Sequence, residues 1–79
     1  MTNKEKYEQI FIDCFSVEKG MLNEEFVYQC VETWDSVGHM SMIAALEEAF
    51  DIMMETDDII DFGSYTKGME ILSKYGIQF

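Results

Sequence analysis

Apolar residues recur at helical spacing near the start of the chain. Five of them follow the i, i+3, i+4, i+7, i+8 pattern of one helix face: Tyr7, Ile10, Phe11, Cys14 and Phe15. The preceding Thr2-x-x-Glu5 matches a capping box, in which each side chain bonds to the backbone N–H of the other residue. We therefore predict a first helix from about Asn3 to about Phe15.

The next twenty residues, 16–35, show no sustained helical stripe. Gly20 and Asn23 interrupt them, yet five side chains are too apolar to be fully exposed: Leu22, Phe26, Val27, Val31 and Trp34. A connection of this length is unusual in a small domain, and long loops often carry function. We predict a long loop whose apolar side chains pack across the helices.

A second helix is predicted from Asp35 or Ser36, either of which fits the N-cap position, to about Phe50. On a helical wheel, the core face carries Met42, Ile43, Leu46, Ala49 and Phe50. A different face carries Val37, Met40 and Ala44, flanked by Glu47 and Glu48. This second face is predicted either to dock other proteins or to be covered by the long loop. The reason is that Val and Met side chains are stabilised by contact with another surface and not by exposure to water.

Two shorter helices complete the pattern. The third is capped by Thr56, anchored by Ile59, Ile60 and Phe62, and ended by Gly63, whereas the fourth opens at Ser64 with Tyr65, Met69 and Leu72 on one side. Proline is absent from the sequence. The predicted fold class is all-α: a single domain, residues 1–79, forming a small four-helix bundle with a long loop between helices I and II and a short helix III.

The amino-acid composition excludes several classes of protein. The chain has 16 acidic residues, 5 lysines and no arginine, a net charge of −11, and 48% hydrophobic residues. It is too apolar for a disordered acidic tail, and nucleic-acid binding is excluded because phosphate contacts need basic side chains. The longest apolar run, Met42 to Leu46, is too short to span a membrane. Without a signal segment, and with Cys14 and Cys30 expected as free thiols, we expect a cytoplasmic monomer.

Ser36 is the main candidate for chemistry. It falls in the first turn of the second helix, where unpaired N–H groups and the helix dipole favour a phosphate, although a simple N-cap would use the same residue type. The only histidine, His39, projects towards the core without a third residue to orient it, so no catalytic group is expected. No metal is expected, since Met53 occupies a ligand position of the EF-hand frame that begins at Asp51.

Residues 35–50, Asp-Ser-Val-Gly-His-Met-Ser-Met-Ile-Ala-Ala-Leu-Glu-Glu-Ala-Phe, followed by Asp51-Ile52, resemble the acyl carrier protein family. That family has Asp-Ser-Leu, a mostly apolar helix, Leu-Glu-x-x-Phe, then Asp or Gly and an aliphatic residue. The resemblance implies a non-catalytic carrier of acyl or aminoacyl thioesters. In such a carrier, Ser36, within the motif begun by Asp35, receives 4′-phosphopantetheine from coenzyme A through a phosphodiester.

The resemblance also implies partners. They are a phosphopantetheinyl transferase and loading and transferring enzymes with basic docking surfaces, which would read the face formed by Val37, Met40, Ala44, Glu47 and Glu48. Gly38 and Ser41 stand where carriers of fatty acid synthesis usually have acidic residues, and Trp34 where they usually have a small one. These departures favour a carrier specialised for a polyketide, nonribosomal peptide, modified sugar or aminoacyl pathway. The alternative is an acidic protein–protein adaptor without a prosthetic group.

Overall fold

The computed structural model describes residues 2–79 and confirms the all-α prediction. The helices are α1 (Asn3–Phe15), α2 (Ser36–Phe50), α3 (Thr56–Asp61) and α4 (Tyr65–Ser73), with a short 3-10 helix, Lys19–Met21, inside the long loop. Together they form the predicted small bundle with a short third helix. Within residues 2–79, no helix has the length and apolarity that crossing a bilayer requires.

The first helix has the predicted bounds because both of its ends are capped. Thr2 Oγ1 accepts the Glu5 N–H at 3.1 Å, and Glu5 Oε1 accepts the Thr2 N–H at 3.2 Å, which completes the capping box. At the other end, Ser16 adopts a left-handed conformation and donates its N–H to Ile12 O. Such a residue ends a helix by satisfying one of its last carbonyl groups.

An aromatic cluster fixes the end of the long loop against α1. Phe11, Phe15 and Trp34 are each at most 1% exposed. The Phe15 and Trp34 rings stack at 5.1 Å, and the Phe11 ring meets Trp34 edge-on at 5.6 Å. Buried aromatic pairs contribute through both apolar area and ring geometry. Because Trp34 directly precedes Asp35 and Ser36, this cluster also fixes the start of α2.

The long loop packs much as predicted. Leu22, Phe26 and Trp34 are buried, whereas Val27 is 42% exposed and Val31 is half-buried. The segment around Val27 is held by backbone pairing in addition to the burial of Phe26. Val27 forms an isolated antiparallel bridge with Ser64.

This bridge joins the loop to the connection between α3 and α4. The Tyr28 N–H donates to Gly63 O at 2.8 Å, and the Tyr65 N–H donates to Phe26 O at 2.9 Å. The two bonds place the Tyr28 side chain beside α3, on the same side of the molecule as the start of α2.

In α2, burial follows the predicted core face except in its last turn. Met42, Ile43 and Leu46 are at most 1% exposed, but Ala49 is exposed, so its assignment to the core was wrong. Phe50 is half-buried, with Lys6 Nζ 5.6 Å from the centre of its ring. The last turn of α2 is therefore less deeply buried than the middle of the helix, and the neighbour shown for Phe50 is a charged side chain.

Two predictions about α3 were wrong. Glu55 is the N-cap and Thr56 is the first helical residue, and Ile60 is 73% exposed instead of being an anchor. On a helix, Ile59 and Phe62 lie about 60° apart, while Ile60 points about 100° or more away from both. Six residues therefore bury only one side, and Ile60 remains exposed near the start of α2.

Asp58 is the charged residue that fastens α3 to the end of α4. Its carboxylate accepts hydrogen bonds from Lys74 Nζ, at 2.6 Å, and from the Tyr75 hydroxyl. The two hydrogen bonds hold the pKa of Asp58 below its ordinary value of 3.8, and the bond from Lys74 has the larger effect. The lowered pKa means that the ionised carboxylate stabilises the folded state.

We expect this contribution to be fully present above about pH 4 and to disappear as the pH falls through the lowered pKa of Asp58. Melting curves of the wild type and Asp58→Asn should therefore differ at neutral pH and converge in acid. Asp57→Asn, an exposed neighbour in the same helix, serves as the control and should keep the wild-type acid profile. A constant difference between wild type and Asp58→Asn at all pH values would contradict this role.

Candidate functional site

Asp35, and not Ser36, caps α2. Asp35 Oδ1 accepts the Gly38 N–H at 2.8 Å, and the first bond of the helical ladder runs from the His39 N–H to Asp35 O, also at 2.8 Å. Of the two N-cap residues that the sequence allowed, the structure selects Asp35. Ser36 is the first helical residue, so its hydroxyl is not needed for capping.

The Ser36 side chain is exposed at the start of the helix. Its Oγ lies 3.4 Å from the Tyr28 hydroxyl, which is longer than an ordinary O–H···O hydrogen bond of about 2.7–2.8 Å. The N–H groups of Ser36 and Val37 precede the ladder and add to the positive end of the helix dipole. A hydroxyl in this position is accessible from solvent, and a negative charge attached to it would be stabilised.

A groove of about 370 Å³ opens beside Ser36. It is formed by α2, α3, the Tyr28 segment of the loop and the start of the α3–α4 connection, and its lining consists of Tyr28, Ser36, His39, Met40, Ile59, Ile60, Phe62 and Gly63. Phe62 is 1% exposed and forms the floor, whereas Met40 and Ile60 are more than half exposed and form the rim. The groove is therefore apolar over most of its surface, and Ser36 is one of its few polar lining residues.

His39 lines the groove, and both of its ring nitrogens are hydrogen-bonded. Its Nδ1 accepts the indole N–H of Trp34 at 3.0 Å, and its Nε2 lies 2.8 Å from Ile59 O. Because an indole N–H only donates and a carbonyl only accepts, the imidazole must be neutral with its proton on Nε2. Both ring nitrogens are thus occupied in joining Trp34 to α3, so neither is free to act as a base towards Ser36.

We expect His39→Leu to lower the free energy of unfolding by about 1–3 kcal/mol, because Trp34, which is 0% exposed, would keep a buried indole N–H without an acceptor. His39→Gln is the matched control, since its amide offers both an acceptor for Trp34 and a donor for Ile59 O. Urea unfolding of the two variants measures the difference. Equal stability of His39→Leu and the wild type would mean that the hydrogen bonds from Trp34 to His39 and from His39 to Ile59 contribute nothing to the free energy of unfolding.

Gly38 allows the long loop to approach α2 closely. A Cβ atom at this position would overlap the backbone oxygen of Thr33. Thr33 cannot easily move away, because its Oγ1 donates to Phe15 O at 2.8 Å and so ties the loop to the end of α1. Carriers of fatty acid synthesis usually have an acidic side chain at this position, and such a side chain does not fit this arrangement of the loop.

The second face of α2 is exposed over most of its length. Val37 is 75% and Met40 is 53% exposed, and Ala44 and Glu48 are exposed as well. The alternative that the long loop covers this face was therefore wrong. Glu47 differs from the rest because it is half-buried and its Oε2 accepts the Met54 N–H at 2.9 Å, which gives it a structural role at the end of α2.

The charge around Ser36 decides how a phosphate could be held there. From residue 20 to residue 66 the sequence contains no lysine or arginine and eleven acidic residues, and the eight groove residues are all uncharged in the tautomer described above. A free phosphate would be repelled by such a surface. The groups at Ser36 that could meet a phosphate are the backbone N–H groups at the start of α2 and the Tyr28 hydroxyl. Among residues 2–79, no group of three or more His, Cys, Asp or Glu is placed to hold a metal ion.

Sequence reasoning found Asp35, Ser36 and Met40 but missed Tyr28 as a neighbour of Ser36. Tyr28 lies in a loop without periodicity, and it reaches the site through the backbone bond to Gly63, which is 35 residues away along the chain. No local pattern signals such a contact. The exposure of Ile60, by contrast, follows from the helical wheel of α3, which could have identified it.

Comparison with known proteins yielded no matching family model, no matching curated protein and no matching solved structure. The arrangement of Ser36, the exposed face of α2 and the adjoining groove is therefore the observation from which a function can be proposed.

Proposed function

We propose that this protein is a carrier that holds acyl or aminoacyl intermediates on a 4′-phosphopantetheine arm attached to Ser36. The observation that carries the proposal is Ser36 itself, exposed at the first position of α2, not used in capping, and lining an apolar groove. The resemblance of residues 35–52 to carrier proteins supports the same residue as the attachment point.

The residues present fit the arm. Ser36 Oγ would form the new bond to phosphorus as the bond between the two phosphates of coenzyme A breaks and adenosine 3′,5′-bisphosphate leaves. The serine proton would pass to a base of the transferase. The N–H groups at the start of α2 would stabilise the negative charge of the diester. When attached, the arm supplies the thiol that carries the cargo as a thioester. This chain contributes a fixed serine, held by the Asp35 cap and the buried Trp34.

The proposed carrier is not an enzyme. The nearest candidate base, His39, has both nitrogens engaged by Trp34 and Ile59, which supports a transferase as the source of the base and of the Mg²⁺ that binds the coenzyme A phosphates. The proposed location is the cytoplasm, in keeping with the free thiols of Cys14 and Cys30.

The groove and Gly38 support a specialised carrier. The groove residues are uncharged and mostly apolar, so they suit a cargo that is itself uncharged near the thioester. Enzymes that recognise an acidic side chain at the position of Gly38 would find the close loop contact of Thr33 there instead. Partners are therefore proposed to be dedicated enzymes with basic surfaces, outside ordinary fatty acid synthesis.

The mass of the intact protein separates this proposal from the acidic adaptor. The protein is purified from a bacterial host with and without a co-expressed broad-specificity phosphopantetheinyl transferase. A carrier gains the mass of one phosphopantetheine group when the transferase is present. If the mass is unchanged with several transferases of different specificity, the adaptor becomes the better explanation.

Glu48→Lys is expected to slow loading by the transferase several-fold at low ionic strength, with the difference shrinking as salt is added. Exposed charges steer the encounter of two proteins more than they strengthen the complex, and salt screens them. Glu70→Lys reverses another exposed charge, on α4, which contributes no lining residue to the groove, and is the control. Loading rates that fall equally for both variants would show that total charge matters and the α2 face does not. Glu47 is unsuitable for this test because it also holds Met54.

A further inference from the structure

We propose that Tyr28 is a positioning residue for the arm: its hydroxyl donates a hydrogen bond to a phosphodiester oxygen on Ser36 and so holds the start of the arm at the groove. The inference rests on the proposed function of Ser36. It concerns a residue of the long loop that neither the motif nor the helical pattern marks.

The position of the hydroxyl is the first reason. The Tyr28 oxygen lies 3.4 Å from Ser36 Oγ, too far for a strong direct bond between the two hydroxyls. Within residues 2–79, Ser36 Oγ is the hydrogen-bonding neighbour of this hydroxyl, so the phenol proton is available to another acceptor. A non-bridging oxygen of a diester on Ser36 is separated from Oγ by a single phosphorus atom, which brings it within reach of a donor at this distance.

The rigidity of Tyr28 is the second reason. Its backbone N–H is bonded to Gly63 O at 2.8 Å. Its ring meets Trp34 and His39 edge-on, with ring centres 6.1 Å and 5.7 Å away. Trp34 and His39 are themselves joined by a hydrogen bond, so the phenol is held against a fixed wall although 37% of the residue is exposed. A donor that is already oriented loses little entropy when it binds.

The chemistry of the site is the third reason. A phosphodiester carries one negative charge, and the eight groove residues include no lysine or arginine to meet it, while both nitrogens of His39 are bonded to other groups. Besides solvent, the groups of this site that can meet its oxygens are therefore neutral donors. The N–H groups at the start of α2 are available on one side of Ser36, and the Tyr28 hydroxyl is available on the side of the groove. Hydrogen bonds to a charged acceptor are about twice as strong as those between neutral groups, so the contact should strengthen once Ser36 is modified.

The test uses the loaded protein, Tyr28→Phe and the phosphorus nucleus of the arm. Tyr28→Phe keeps the ring and removes only the hydroxyl. Tyr75→Phe makes the same chemical change near Asp58, away from the groove, and is the control. After loading, we expect the ³¹P resonance of Tyr28→Phe to shift relative to the wild type and that of Tyr75→Phe to stay in place. We also expect loading to raise the melting temperature of the wild type by more than that of Tyr28→Phe.

Identical ³¹P resonances and equal rises in melting temperature for wild type and Tyr28→Phe would overturn the role of Tyr28 and leave the attachment to Ser36 standing. Failure of the wild type itself to accept the arm would instead overturn the proposed function. The two failures are therefore distinguishable.

Discussion

Replacing Ser36 by alanine is expected to abolish attachment of phosphopantetheine and to leave the fold intact. The loss of attachment follows because the variant lacks the oxygen that would bond to phosphorus. The fold should survive because Asp35 caps α2, and the Ser36 hydroxyl has only the long contact with Tyr28. Exposed substitutions of this kind usually change the free energy of unfolding by no more than about 0.5 kcal/mol. Intact mass after incubation with transferase and coenzyme A, together with circular dichroism, measures both effects.

Ser41→Ala is the matched control for this experiment. Ser41 is a second exposed serine of α2, five residues further along the helix. The Ser41→Ala variant should accept the arm on Ser36 at the wild-type rate, because the removed hydroxyl lies in the middle of the helix and not at its start. Attachment that persists in Ser36→Ala and is lost in Ser41→Ala would move the site to the other serine.

Gly68→Ala is expected to destabilise the protein, although alanine is the better helix former. A Cβ at Gly68 would lie closer than 3.0 Å to both Phe62 Cζ and Tyr7 Oη, a separation that real Cβ atoms essentially never show. Tyr7 is fixed because its hydroxyl donates to Tyr65 O at 2.6 Å, and Phe62 is 1% exposed. Overpacking of this kind, at the severe end, costs about 3 kcal/mol of folding free energy. The higher helix propensity of alanine returns about 1 kcal/mol. The net loss of about 2 kcal/mol should lower the melting temperature by about 10 °C.

Gly20→Ala tests whether the effect is due to packing. Gly20 lies in the 3-10 helix of the long loop, and a Cβ built there meets nothing within 4 Å. This variant should unfold within about 0.5 kcal/mol of the wild type. If Gly68→Ala were as stable as Gly20→Ala, the close packing of Gly68 against Phe62 and Tyr7 would be contradicted.

The fold was predictable where local chemistry determines it. The capping box of Thr2 and Glu5 and the apolar stripe of α1 act within a few residues, and the structure has both, with Tyr7, Phe11 and Phe15 as the fully buried part of the stripe. The N-cap of α2 is one of the two residues that the sequence allowed. The errors occur where tertiary position overrides the local pattern. Ala49 lies on the core side of the helical wheel but in the last turn of α2, which is less buried than the middle of that helix, and the six residues of α3 bury only one side and leave Ile60 exposed.

The candidate site was only partly predictable for the same reason. Ser36 follows from its place in a motif at a helix start, and the exposed face with Val37 and Met40 follows from the wheel of α2. The groove depends on contacts between distant segments, above all the bond from Tyr28 to Gly63 and the relay from Trp34 through His39 to Ile59. A single sequence does not specify which loop residue meets which helix.

The attachment of the arm to Ser36 is tested most directly by fragment mass spectrometry of the wild-type protein after incubation with coenzyme A and a phosphopantetheinyl transferase. The predicted result is one added phosphopantetheine group on each molecule, located on Ser36 and absent from fragments that contain Ser41 but not Ser36. An added group on any other residue, or no added group with any transferase, would contradict the assignment of this protein as a carrier that uses Ser36.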